Sequence, residues 1–275
     1  MSDVFGIAGV QPISEGDFRK IRDWLFQHAG IHLSDRKHAL VSGRLATRLR
    51  YHRLTRYGDY FNLLCDGRHP DEPQVALDLL TTNETSFFRE PRHFEFLAQE
   101  IVPRHQPPRA LRIWSAACSS GEEPYSIGMT LASCMGEQPW EILGSDLSSR
   151  ILERAQAAIY PMERAKNLTR AQLVAHCLKG KDAFEGSFQV APHVTSRVKF
   201  RQINLNATLP VMGDFDVVFL RNVMIYFEGP TKQQVIDRIL AFLRPSGYLV
   251  IGHSETLAGV NRVMKLVAPA VYQKP

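Results

Sequence analysis

The apolar positions change their period near residue 107. Before it, Phe18, Ile21, Trp24 and Leu25 recur at three- and four-residue steps after an Ile-Ser-Glu-Gly-Asp start signal, with Gly30 as the stop. Leu40, Val41, Leu45 and Leu49 form a second stripe, with Arg44, Arg48 and Arg50 off it. Tyr57 to Leu64 and Val75 to Leu80 predict two more short helices, separated by the turn-rich DGRHPDEP. No part of the first 80 residues alternates as a strand does, so residues 1–80 are expected to form an α-helical domain.

After Pro107-Pro108 the pattern becomes strand, helix, strand. ALRIWSAA reads as a strand followed by a helix from Pro124 to about Met135, and WEILGSDLS as a strand followed by a helix from Ser149 to about Ala158. FDVVFLRN is a third strand; a helix from Thr231 to Leu243, the turn Pro245-Ser-Gly247 and the strand YLVIG follow. Strands this continuously apolar, alternating with helices, predict an α/β domain over 107–275 with a parallel sheet covered on both faces. Residues 160–203 interrupt the alternation with short alternating stretches and turn signals, and are expected to form an inserted antiparallel ribbon.

Between the two patterns lies TTNETSFFRE, residues 81–90, in which a polar run meets Phe87 and Phe88. Neighbouring side chains point in different directions on a helix or a strand, so neither buries both rings easily. Residues 81–106 are therefore expected to be a linker.

Charge and composition narrow the classes. The net charge of +5 is uneven: residues 36–56 carry seven Lys or Arg and no acid. Such a run is either a solvated helix face or a docking surface for an anionic partner. No helix-turn-helix, zinc-finger or RNA-recognition pattern accompanies it, which argues against nucleic acid. No run approaches the ~18 apolar residues of a membrane span. The opening MSDVFGIAGVQPISEGD has neither a basic start nor a long apolar stretch, so no export signal is expected. The four cysteines and ten histidines are scattered, without C-x-x-C or H-E-x-x-H spacing. Reduced thiols in a cytoplasmic protein, and no metal site, are the expectation.

In such sheets a ligand sits at the carboxyl ends of the strands, which singles out Ser115 to Gly121, Asp146 and Arg221 to Tyr226. The small residues of AACSSG let a ligand approach the backbone closely. This loop keeps only Gly121 of a G-x-G-x-x-G pattern, and Glu122 and Glu123 follow it. Two carboxylates repel a pyrophosphate and suit a cationic group, so a nicotinamide-dependent oxidoreductase is the weaker reading. Asp146, 25 residues past Gly121, suits both hydroxyls of a ribose; capping the next helix is the other reading. A nucleoside with a cationic tail describes S-adenosylmethionine, with Leu205 after Asn204 as an apolar contact for adenine.

TTNETSFFRE, SAACSSGEEPYSIG, GSDLS, INLN and RNVMIYF resemble, in order and spacing, the motifs of the CheR family of chemotaxis receptor methyltransferases. The resemblance extends over nearly the whole chain. It implies a Rossmann-like class I methyltransferase sheet, a small N-terminal α-helical domain that recognises substrate, and an inserted antiparallel β-subdomain. It implies methyl transfer from S-adenosylmethionine to receptor glutamates, releasing S-adenosylhomocysteine; a non-catalytic binding module that senses the cofactor is the remaining alternative. Carried over motif by motif, Asn83, Thr85 and Arg89 line the cofactor, as does Ala117, and Glu122 or Glu123 faces its amino-acid tail. Asp146 holds the ribose, Asn204 and Leu205 take the adenine side, and Arg221 and Asn222 form the wall beneath. Arg89 and Tyr226 are the candidate catalytic residues, through positioning rather than acid–base chemistry. Arg44, Arg48, Arg50 and Arg53 are expected to meet the acidic receptor helices. The inserted ribbon, with its turn GKDAFEG, is a candidate holder of a receptor C-terminal peptide by strand addition. A monomer is expected.

Overall fold

The computed structural model describes residues 9–275; the eight before them, part of the opening segment read as carrying no export signal, lie outside the described residues. The chain divides into two units, one running to Thr82 and including Tyr226–Glu228, the other comprising Asn83–Ile225 and Gly229–Pro275.

The first unit is helical: α1 (Glu15–Ala29), α2 (His38–Tyr51), α3 (Tyr57–Cys65) and α4 (Glu72–Leu80). Ser14 caps α1 by accepting the Asp17 amide at 3.1 Å, and Gly30 ends it with φ 70°, its N–H donating to the Phe26 carbonyl. The predicted stripes meet in its core, where Phe18, Ile21, Leu25, Val41, Leu45, Leu49 and Tyr60 are fully buried. Each such side chain contributes about 1.5–3 kcal/mol of burial. The Tyr226–Glu228 segment joins this unit through an antiparallel bridge between Ile31 and Phe227 and a bond from the His32 amide to the Tyr226 carbonyl at 2.9 Å.

The second unit begins with the irregular segment 83–90 and then α5 (Arg92–Phe96), prolonged by a π-helical turn, Leu97–Ile101. Helical structure inside the expected linker is explained by burial: Phe87, Phe94, Leu97 and Ile101 belong to the core of this unit. There follow β1 (Leu111–Ala116), α6 (Glu122–Cys134), β2 (Trp140–Asp146), α7 (Ser149–Ala157), β3 (Ile159–Pro161), α8 (Arg170–His176), β4 (Cys177–Lys179) and β5 (Ser187–Val190). The remainder is α9 (Pro192–Thr195), β6 (Val198–Gln202), β7 (Phe215–Leu220), α10 (Gly229–Leu240), β8 (Leu243–Ile251), β9 (Lys265–Ala268) and β10 (Val271–Gln273).

The main sheet has seven strands in the order β6-β2-β1-β7-β8-β10-β9. The first five are parallel, and β10 runs antiparallel to both its neighbours. Strand order reverses between β1 and β7, so the crevice outside their carboxyl ends is where a ligand belongs. This is the class I methyltransferase arrangement that the family resemblance implies. A second, antiparallel sheet, β3-β5-β4, forms the inserted subdomain. Two boundaries differ from expectation. Val198–Gln202, inside the stretch read as insertion, pairs in parallel with β2 and belongs to the main sheet. The last helix stops at Leu240 because Leu243 already pairs with Phe215.

Candidate active site

The loop after β1 is built for close approach. Ala117 and Ser119 have φ of 67° and 51°, and Gly121 has φ 94°. A Cβ on Gly121 would lie 2.9 Å from both the Ala155 Cβ and the Tyr160 hydroxyl, so conformation and space both demand glycine there. The Ser119 amide donates to the Asp146 Oδ2 at 2.8 Å, which fastens the loop to the end of β2. The Tyr160 hydroxyl donates to the Ser120 carbonyl at 2.7 Å. Burial, with the Asp146 and Glu123 charges adding to it, pushes the Cys118 thiol well above its ordinary range, so it packs as a neutral side chain.

Asp146 is not the cap of α7. Ser148 is, accepting the Ile151 amide, while Asp146 Oδ1 accepts the Ser148 amide at 3.0 Å. The carboxylate is thus oriented by the backbone amides of Ser119 and Ser148. The Ile203 amide donates to the Asp146 carbonyl, which brings Asn204 and Leu205 beside the same strand end. Leu205 is buried, and Asn204 Oδ1 accepts the Asn206 amide.

Glu122 and Glu123 are both buried yet differently engaged. Glu123 accepts from the Ser115 hydroxyl and from Arg221 Nη1, each at 2.7 Å. Glu122 accepts from the Ser120 hydroxyl at 2.6 Å and, more loosely, from half-exposed Arg164 at 3.3 Å. Arg221 also donates to the Arg89 carbonyl and, at 3.0 Å, to Glu90 Oε2. Burial opposes the Glu90 charge, but the Arg221 guanidinium outweighs it and holds the carboxyl below its ordinary range.

The segment 83–90 is held over this loop from several sides. The Asn83 carbonyl accepts from Ser119 Oγ at 2.8 Å, the Thr85 carbonyl from Arg164 at 3.0 Å, and the Phe88 amide donates to Ser126 Oγ at 2.9 Å. Phe87 is fully buried against Tyr160 and Phe188, whereas Phe88 meets Phe94. Phe88 and Glu90 take positive φ, and this bend is what lets adjacent rings enter different pockets. Arg89 extends from the segment and donates to the Glu84 carbonyl.

At the other wall, Asn222 has φ 56° and is fixed by Glu255, whose carboxylate accepts the amides of Asn222, Met224 and Gly252 at 2.8–2.9 Å. Glu255, Glu90 and Tyr160 belong to the site without being among the candidates read from the sequence. Glu90 stands in a quoted motif and Glu255 in a polar loop directly after a strand; Tyr160 offers no sequence signal of its role.

Asn83, Thr85, Arg89, Ala117, Glu122, Glu123, Asp146, Asn204, Leu205, Arg221 and Asn222 all lie in the second unit, whereas Tyr226 counts with the first. The four arginines also lie in the first unit and are not alike. Arg48 donates to Glu72, a residue only 4% exposed, which also accepts from Tyr60 at 2.7 Å and lies 3.0 Å from His52. Arg44 donates to the carbonyls of Leu80 and Thr81 at 2.7 and 2.9 Å. Arg50 and Arg53 are exposed.

Residues 83–272 match the family model described as the CheR methyltransferase, SAM binding domain, and residues 16–81 match the CheR methyltransferase, all-alpha domain. The chain belongs to the CheR methyltransferase family. It is 42% identical to the chemotaxis protein methyltransferase of Escherichia coli (strain K12), over 94% of this chain and 91% of that one. It is 40% identical to chemotaxis protein methyltransferase 2 of Pseudomonas aeruginosa, over 93% and 92%, and 33% identical to the chemotaxis protein methyltransferase of Borreliella burgdorferi, over 95% of each. As a CheR methyltransferase it uses S-adenosylmethionine, and the cationic-tailed nucleoside inferred from Glu122, Glu123 and Asp146 is that cofactor. Among the described residues no helix is long and apolar enough to cross a membrane.

Proposed function

We propose that this CheR methyltransferase, a cytoplasmic monomer, converts glutamate side chains on the cytoplasmic helices of chemotaxis receptors into methyl esters. The observation that carries the reading is the match of both the helical and the sheet unit to the CheR models, supported by 42% identity to a chemotaxis protein methyltransferase.

The reaction asks little of the protein. A glutamate, with an ordinary pKa of about 4.3, is already ionised at neutral pH. Its oxygen attacks the methyl carbon, the carbon–sulfur electrons pass to sulfur, and a neutral thioether leaves without any proton transfer. Charge is annihilated on the way, so alignment and removal of water supply the acceleration.

In this reading Asp146 holds the ribose hydroxyls and Leu205 and Asn204 border the adenine. Glu122 or Glu123 meets the cationic tail; Glu122 is held by Ser120 and Glu123, the less buried of the two, by Ser115 and Arg221. Ala117 leaves room beside the cofactor, and Asn83, Thr85 and Arg89 close over it. Arg221 and Asn222 form the wall, and Tyr226 orients the reacting groups. Arg50 and Arg53 meet the acidic receptor helices, whereas Arg44 and Arg48 shape the surface that presents them.

The inserted sheet supports a tether. Strand β4 is an edge, and Val174, Leu178 and Phe184 are exposed beside it, so an extended receptor tail can add as a fourth strand. A tethered receptor raises the local concentration of methylation sites without altering the site itself.

The test is calorimetric titration with S-adenosylhomocysteine and with NAD, on the parent and on Asp146→Ala, followed by methylation of a receptor cytoplasmic fragment. S-adenosylhomocysteine binding that weakens at least tenfold in the variant, and base-labile methyl esters on receptor glutamates, are expected. NAD binding, or no ester formed with cofactor bound, would overturn the proposal. Arg89→Ala and Tyr226→Phe should lower turnover with an unchanged melting temperature. A receptor tail peptide that fails to bind at millimolar concentration would remove the tether alone.

A further inference from the structure

We propose that Glu90, His93 and His253 form a binding site for a borderline transition-metal ion such as Zn²⁺. One donor atom from each of the three residues lies within 4.8 Å of the others. His93 Nδ1 stands 3.5 Å from Glu90 Oε2, and the His93 and His253 rings approach edge-on at 4.7 Å between centroids. Ligands around a tetrahedral zinc, at bonds of 2.0–2.1 Å, sit about 3.4 Å apart, so small side-chain rotations bring these three into range.

The second observation is His93 itself. It is 2% exposed, and neither ring nitrogen makes a hydrogen bond, although the Pro269 carbonyl approaches the ring. A buried imidazole with both nitrogens unsatisfied forfeits the hydrogen bonds that water would give it. A neutral imidazole carries one lone pair, on its unprotonated ring nitrogen. A metal ion satisfies that lone pair directly, and the Pro269 carbonyl is placed to receive the opposite N–H and fix the tautomer.

The donor set selects the ion. Two imidazoles and one carboxylate suit zinc, nickel, copper or cobalt rather than magnesium or calcium, which take oxygen ligands. His253 is exposed, so the fourth position opens to solvent. Arg221 moderates the affinity: its Nη2 shares Glu90 Oε2, and its charge repels the incoming dication. The other Glu90 oxygen has only a 3.4 Å contact with Asn222 Nδ2, and that contact yields easily. A bound ion would share the Glu90 carboxylate with Arg221, the residue that also grips Glu123 beside the cofactor loop.

The experiment is equilibrium dialysis of the full chain against ZnCl₂ in a buffer free of chelator and imidazole, with Co²⁺ absorption as a second readout. His253→Ala removes an exposed ligand without touching the core, and His193→Ala controls for binding at the His176–His193 pair, whose ring nitrogens lie 3.0 Å apart. The expected result is one ion per chain, the visible band of four- or five-coordinate Co²⁺, at least tenfold weaker binding in His253→Ala and no change in His193→Ala. No retained metal, equal affinity in His253→Ala, or a loss in His193→Ala would overturn the proposal.

Discussion

Glu72→Gln is the substitution through which the helical unit is best interrogated. Burial opposes the Glu72 charge, but hydrogen bonds from Arg48, Tyr60 and His52 outweigh it and hold its pKa at about 2, below the ordinary 4.5. At about 1.4 kcal/mol per tenfold change, this difference amounts to roughly 3 kcal/mol. The folded-state value is depressed, so the stabilisation is complete above pH 4.5 and is lost as pH falls toward 2. Glutamine keeps the shape but leaves the Arg48 guanidinium without a counter-charge. The variant should therefore be roughly 3 kcal/mol less stable at pH 7, and the gap should narrow to about 1.4 kcal/mol at pH 3. Two units need not unfold together, so urea titrations should be paired with peptide-resolved hydrogen exchange over α2–α4. A gap below 1 kcal/mol at pH 7, or one that does not change between pH 6 and 3, would refute the reasoning.

Three further outcomes follow from the site. Arg50→Ala with Arg53→Ala should raise the KM for receptor several-fold at low salt and little at high salt, because exposed charges are screened, whereas Arg48→Ala should chiefly lower the melting temperature. Glu255→Gln keeps one of the two oxygens, so either the Met224 amide or the Asn222 and Gly252 amides lose their acceptor and face an NH2 group; kcat/KM should fall at least tenfold while circular dichroism stays unchanged. Gly121→Ala places a methyl 2.9 Å from Ala155 and Tyr160 at a φ of 94°, and calorimetry should show S-adenosylhomocysteine binding weakened by more than tenfold.

The sheet was legible because β1, β2, β7 and β8 are buried on both faces and therefore read as unbroken apolar runs. Strand β6 was not: it is an edge, and Lys199, Arg201 and Gln202 face outward, so its pattern mimics a small ribbon. Helix α5 hid between Pro91 and Pro103 in a stretch too short to show a period. The site's residue types were legible from motif and position, but their wiring was not. Nothing local tells that Arg221 ties Glu90 to Glu123 over 98 to 131 residues of sequence, or that Arg48 faces a buried acid rather than solvent. Such pairings depend on the tertiary fold, and one chain's sequence carries no local trace of them.

The return of Tyr226–Glu228 to the helical unit bears on how these proteins can be cut and recombined. Removing residues up to Thr82 would strand three residues of the later sequence without the Ile31 and His32 backbone partners they pair with. A chimaera that exchanges only the amino-terminal helices between relatives would inherit a mismatched third piece. The exchangeable module is discontinuous, and its own pairings are kept only when residues 226–228 travel with the helices.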